Sequence, residues 1–152
     1  MIKIICVGKI KEDYLQMGIK EYLKRMEAWD KVEIVELKEY LSNDINKVIE
    51  VEGLSILDKI NKNDYVITLE IEGKNISSEA LASKIDELYT YGNTHITFII
   101  GGSWGLSKEV KNRSNMALSF SKFTFPHQLM RLILLEQIYR AYTIINHKEY
   151  HK

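Results

Sequence analysis

The sequence predicts an α/β fold, a mainly parallel sheet sandwiched by helices, in one domain spanning residues 1–152. Three observations carry this. Segments with strand character alternate five times with segments of helical spacing. The first strand, IKIICVG at residues 2–8, is a continuous apolar run, as in a parallel sheet covered on both faces. The last long helix is apolar on nearly every side, so it is buried on more than one face.

In chain order, residues 12–28 place Tyr14, Leu15, Met17, Ile19, Tyr22, Leu23 and Met26 at helical spacing. VEIVEL, 32–37, alternates as a second strand. Asn43 or Ser42 caps a helix to about Ile60. A third strand, YVITLEI at 65–71, is expected to end in a turn at Glu72-Gly73. Ser77 or Ser78 opens a helix that closes near Gly92. HITFII, 95–100, runs into Gly101-Gly102, and Ser107 begins a short helix through about Asn115. Ala117 to Phe120 reads as the fifth strand and Ser121 to Phe125 as a loop. Pro126 is expected at the first helical position of the last helix, where its missing N–H has no partner to lose.

Hydrophobic content of 45% and charged content of 28% are those of a water-soluble domain. No apolar run is long enough to cross a membrane, and MIKIICVGKI has no signal-peptide pattern. The single Cys6 forms no internal disulfide and fits a reducing cytoplasm. One cysteine and four scattered histidines argue against zinc or another bound metal. Net charge is zero, but from Phe120 onward five cations face two carboxylates, leaving −3 on the remainder. That is ordinary scatter or a mildly basic functional end.

In such a sheet ligands bind beyond the carboxyl ends of the strands. Three ends stand out: Thr68-Leu69-Glu70, Ile100-Gly101-Gly102, and Phe120 to Phe125. The glycines are either a plain turn or a close backbone approach to a ligand. The cluster is neither a Walker loop nor a dinucleotide fingerprint. Phe120, Phe123 and Phe125 around Ser121, Lys122 and Thr124 are either core rings beside a turn or the walls of an adenine slot. His127 and Arg131 share one face at a helix start, which favours anions. Arg131 on so apolar a helix needs a partner, either a carboxylate of this chain or an anionic ligand. Tyr150-His151-Lys152 is either a frayed end or a tail whose His151 suits proton transfer near neutral pH.

Several of these stretches carry a resemblance. They are Gly101-Gly102-x-x-Gly105-Leu106, Ala117-Leu118-Ser119 through Thr124-Phe125-Pro126-His127, Arg131, Glu136-Gln137-x-Tyr139-Arg140-Ala141 and Tyr150-His151-Lys152. With VGKIKEDY and VITLEIEGK they closely resemble the RlmH family over essentially the whole chain. That family comprises methyltransferases acting on N3 of a pseudouridine in large-subunit ribosomal RNA, within the SPOUT superfamily. The resemblance implies a C-terminal trefoil knot, a homodimer, and action on the assembled ribosome, with no membrane partner. General topological rules would reject the knot. It implies S-adenosyl-L-methionine against Leu69, Gly101, Phe120, Ser121, Lys122, Phe123, Thr124 and Phe125. Tyr150 and His151 are expected at the target base, with Arg131 in the chemistry and His127, Arg140 and Lys152 toward RNA. Lys152 stands where some relatives have arginine, keeping the charge without the bidentate fork. A transfer-RNA methyltransferase and a non-catalytic ribosome-binding module are the alternatives.

Overall fold

The computed structural model describes every residue from Met1 to Lys152. Five strands alternate with five helices: β1 (Ile2–Val7), α1 (Asp13–Met26), β2 (Val32–Leu37), α2 (Ile45–Asp58), β3 (Tyr65–Asn75), α3 (Ser78–Thr90), β4 (Ile96–Ile100), α4 (Lys108–Arg113), β5 (Met116–Ser119) and α5 (His127–Ile145). They form one sheet in the order β2-β1-β4-β3-β5, every pair parallel. The α/β reading therefore holds.

Alternation along the strands feeds two cores. Ile4, Cys6, Ile67, Phe98 and Ile100 point into the larger one, with residues of α1, α3 and α5. Ile5, Val7, Val66 and Ile99 point into the smaller one, with Ile56 of α2 and Val110 of α4. β1 and β4 are buried at every residue, which is why they read as unbroken apolar runs. Burial pushes the Cys6 thiol up to about 12, against the opposing pull of Arg131, so it stays protonated.

Four boundaries differ from expectation. Asp44, not Asn43 or Ser42, caps α2, accepting from Lys47 N at 3.3 Å, while Ser42 Oγ accepts from Asp44 N at 3.1 Å. Pro126 is the cap of α5 rather than its first helical residue, and its carbonyl accepts from Met130 N at 2.9 Å. β5 starts at Met116 and releases Phe120 to the loop. Most consequentially, β3 has no terminal turn at Glu72-Gly73. It continues to Asn75 through an irregularity, with both Leu69 and Lys74 in register with Leu118.

α5 lies against α1, α3 and the sheet. Leu134, Leu135, Ile138 and Ala141 are buried, while Leu129, Leu132 and Ile133 are half-buried. No helix is long and apolar enough to cross a membrane.

Candidate cofactor cleft and C-terminal tail

The carboxyl ends of β4, β3 and β5 are neighbours, and they meet in one cleft of about 140 Å³. β4 supplies Ile100 and Gly101, β3 supplies Leu69 to Ile71, and β5 with its loop supplies Leu118 to Ser121, Thr124 and Phe125. His127 and Met130 of α5 close the side. A second cleft of about 290 Å³ adjoins it, lined by Ile76, Ser77, Ser78, Leu81, Ile133 and Gln137. Leu118, Phe120 and Phe125 line both clefts, so these side chains form the partition.

Local backbone features make the cleft. Between Leu69 and Lys74 four residues of β3 arch out of register, which brings Glu70 and Ile71 into the wall. Gly73 closes the arch: a Cβ there would lie 2.8 Å from the backbone carbons of Ala117 and Leu118. At Gly101 a Cβ would meet Leu106 Cδ2 at 2.9 Å and the Gly105 carbonyl carbon at 3.2 Å. The loop after β5 is pinned from within. Asn75 Nδ2 donates to Ser119 O at 3.1 Å, Ser119 Oγ to Ser121 O at 3.1 Å, and Phe123 N to Ser121 Oγ at 3.0 Å.

Of the residues expected around a cofactor, Leu69, Gly101, Phe120, Ser121, Thr124 and Phe125 stand in the cleft wall. Lys122 and Phe123 do not, and Phe123 is 79% exposed. Glu70 turns its carboxylate aside, accepting from Thr68 Oγ1 at 2.6 Å with Lys111 Nζ at 3.8 Å. The structure does not bring Arg131 to the cleft. Its guanidinium is buried, donating to Glu36 Oε2 at 2.6 Å and to Gly8 O at 2.9 Å. Of its two possible partners it has the carboxylate of this chain, and it ties α5 to the ends of β1 and β2.

The C-terminal tail is ordered. His147 adopts the left-handed conformation (φ 55°) and turns the chain back, with Lys148 N donating to Thr143 O at 2.8 Å. Glu136 Oε1 then accepts from Arg140 Nη2 at 2.6 Å and from Tyr150 OH at 3.0 Å. The Tyr150 ring meets Tyr139 edge-on at 4.7 Å and carries the Arg140 guanidinium 4.8 Å above it. Burial, then hydrogen bonding with Tyr22 and Glu136, pushes the Tyr150 phenol above its usual range, so it is a donor rather than a base. His151 Nδ1 lies 3.1 Å from Arg140 Nη1, and Nε2 lies 2.7 Å from Glu79 Oε1. The hydrogen bond from His151 heads the causes that hold Glu79 below its ordinary range. Lys152 is exposed. None of these anchors lines the second cleft, but Ser78 and Gln137, the chain neighbours of Glu79 and Glu136, do. Ser78 Oγ donates to Gln137 Oε1 at 2.6 Å.

A larger opening, about 550 Å³, lies at the other edge of the sheet around Asp30, Tyr89 and Tyr142. Its central polar groups satisfy one another, with both phenols donating to Asp30 Oδ2 at 2.5 Å.

The family model described as "Predicted SPOUT methyltransferase" matches residues 1–151. The chain belongs to the SPOUT methyltransferase family. This SPOUT methyltransferase is 55% identical over 157 residues to proteins named ribosomal RNA large subunit methyltransferase H. They come from Bacillus thuringiensis (strain Al Hakam), Bacillus cereus (strain B4264) and Bacillus anthracis, and each alignment covers 99% of both chains. Sequence reasoning about the SPOUT chain missed Ile71, Leu118, Ser119 and Met130 in the wall and Glu79 beside the tail. Met130 was accessible in principle, three residues after His127 on the same helix face. Nothing in the sequence marks Ile71, since the arch that presents it depends on pairing with a strand more than forty residues later.

Proposed function

We propose that this chain transfers a methyl group from S-adenosyl-L-methionine to N3 of a pseudouridine in large-subunit ribosomal RNA, acting on the assembled ribosome in the cytoplasm as a homodimer. The observation that carries the reading is the cleft at the carboxyl ends of β3, β4 and β5, in a chain 55% identical to named large-subunit RNA methyltransferases.

The residues present fit this cofactor. Apolar walls from Leu69, Leu118, Phe120 and Phe125 suit a purine, and at Gly101 a side chain would collide with Leu106. Leu69, Gly101, Phe120, Ser121, Thr124 and Phe125 would hold it, with the backbone of Lys122 and Phe123 completing the loop. When bound it supplies a methyl group on a positively charged sulfur. The chain supplies position and a place for the proton. His151 is the proton acceptor, and Tyr150 donates a hydrogen bond. Arg140, Lys152 and His127 face RNA, Arg140 once it leaves its contact with His151. Arg131 acts at a distance, keeping His127 and the start of α5 over the cleft. The half-buried Leu129, Leu132 and Ile133 supply apolar surface for a second copy.

The test is incubation with labelled S-adenosyl-L-methionine and either ribosomes, free ribosomal RNA or transfer RNA, followed by mapping of the product by mass spectrometry. Label at a pseudouridine N3 of ribosomes is expected. Label only in transfer RNA overturns the target, and no label in any arm leaves a non-catalytic binding module.

A further inference from the structure

The imidazole of the tail is in direct contact with a carboxylate of α3, and the reaction as proposed above uses only the imidazole. His151 Nε2 is 2.7 Å from Glu79 Oε1, and Nδ1 is 3.1 Å from Arg140 Nη1. A guanidinium nitrogen has only hydrogens to offer, so Nδ1 is the accepting nitrogen and Nε2 carries the hydrogen to Glu79. Glu79 is 62% exposed, so packing does not account for its placement.

We infer that Glu79 is a positioning residue for methyl transfer: it fixes His151 with its hydrogen on Nε2 and leaves Nδ1 as the proton acceptor once Arg140 turns to the RNA. The inference rests on the proposed role of His151. A base oriented by a carboxylate on its far nitrogen is a general solution to this problem. Arg140 is the lock: it occupies Nδ1 in the free protein and is a strong ligand for phosphate, so an arriving RNA backbone uncovers the base. In the transfer step the N3–H proton passes to Nδ1. The N–H electron pair becomes the new N–C bond, and the pair of the broken C–S bond stays on sulfur. The resulting imidazolium faces the Glu79 carboxylate, which is ionised at neutral pH. The other groups around the ring are Arg140 and Glu136 from α5 and Tyr150 from the tail, with Tyr22 of α1 behind Tyr150.

Glu79→Gln keeps the shape and removes the charge. On unmethylated ribosomes, kcat is expected to fall about ten-fold, a fraction of what a proton acceptor contributes. KM for ribosomes and cofactor affinity by calorimetry stay unchanged. Glu79→Asp recovers part of the rate. Nitrogen NMR of the ring reads the tautomer directly, and Glu79→Gln is expected to mix it. A Glu79→Gln protein with wild-type kcat and an unmixed ring tautomer overturns the inference, as does an equal loss when it is added to His151→Ala. If His151→Ala itself turns over normally, the base assignment falls and this inference with it. If His151→Ala is crippled and Glu79→Gln is not, only the role of Glu79 falls.

Discussion

Gly73 has room for no side chain. A Cβ would sit 2.8 Å from two backbone carbons of β5, and backbone cannot swing away as a flexible side chain can. Gly73→Ala should therefore cost about 1–3 kcal/mol, the range for forced overpacking. It should also weaken cofactor binding, because the strain falls on the arch that carries Ile71. Urea unfolding and calorimetric titration measure the two effects, and a stable protein with unchanged affinity would contradict the assignment. The sequence marked this glycine as punctuation but attached it to a turn. Leu69, Gly101 and Phe120 were legible because the rule about strand ends needs only the strand boundaries. That Lys122 and Phe123 stand outside the cleft wall was not legible, because a loop has no period from which to infer which side chains face inward.

α5 shows what helical pattern can and cannot reveal. Its all-round apolar surface foretold burial, and Arg131 within it foretold a partner. The partner's identity was hidden, since Glu36 is 95 residues away. The two ends of this bond are not equivalent, with side-chain exposures of 1% for Arg131 and 40% for Glu36. Glu36→Ala strands a buried cation and should cost about 3–5 kcal/mol. In Arg131→Met the carboxylate can return to water, and the main loss is the donor to Gly8 O, about 1–2 kcal/mol. Urea midpoints at a constant slope give both values. Equal costs would mean that Arg131 finds another partner when Glu36 is gone.

Across the whole molecule the two edges of the sheet divide their work. The carboxyl edge gathers the cleft, while the amino edge is tied together through Asp30, just before β2. Its carboxylate accepts from Tyr89 of α3 and Tyr142 of α5, each at 2.5 Å, and pairs with the Met1 amino group at 3.1 Å. Neither tyrosine advertised this in the sequence, because they lie 59 and 112 residues from Asp30 along the chain. Burial alone would raise the acidity constant of Asp30, but the bonds from Tyr142, Tyr89 and the amino group outweigh it and hold the carboxyl below its usual 3.8. The native state thus prefers the ionised form more strongly than the unfolded chain does. The stability this contributes is complete above the unfolded value, near pH 4, and is lost as pH falls through the lower folded value. Asp30→Asn should lower stability at neutral pH by about 1–3 kcal/mol, the worth of hydrogen bonds to a charged group. It should also flatten the decline below pH 4, because one protonation that unfolding favours has been removed. Urea midpoints of both proteins from pH 7 to pH 2.5 separate these effects. Parallel curves would place the acid sensitivity in other carboxylates, whereas curves that converge toward low pH locate it at the junction of β1, β2, α3 and α5.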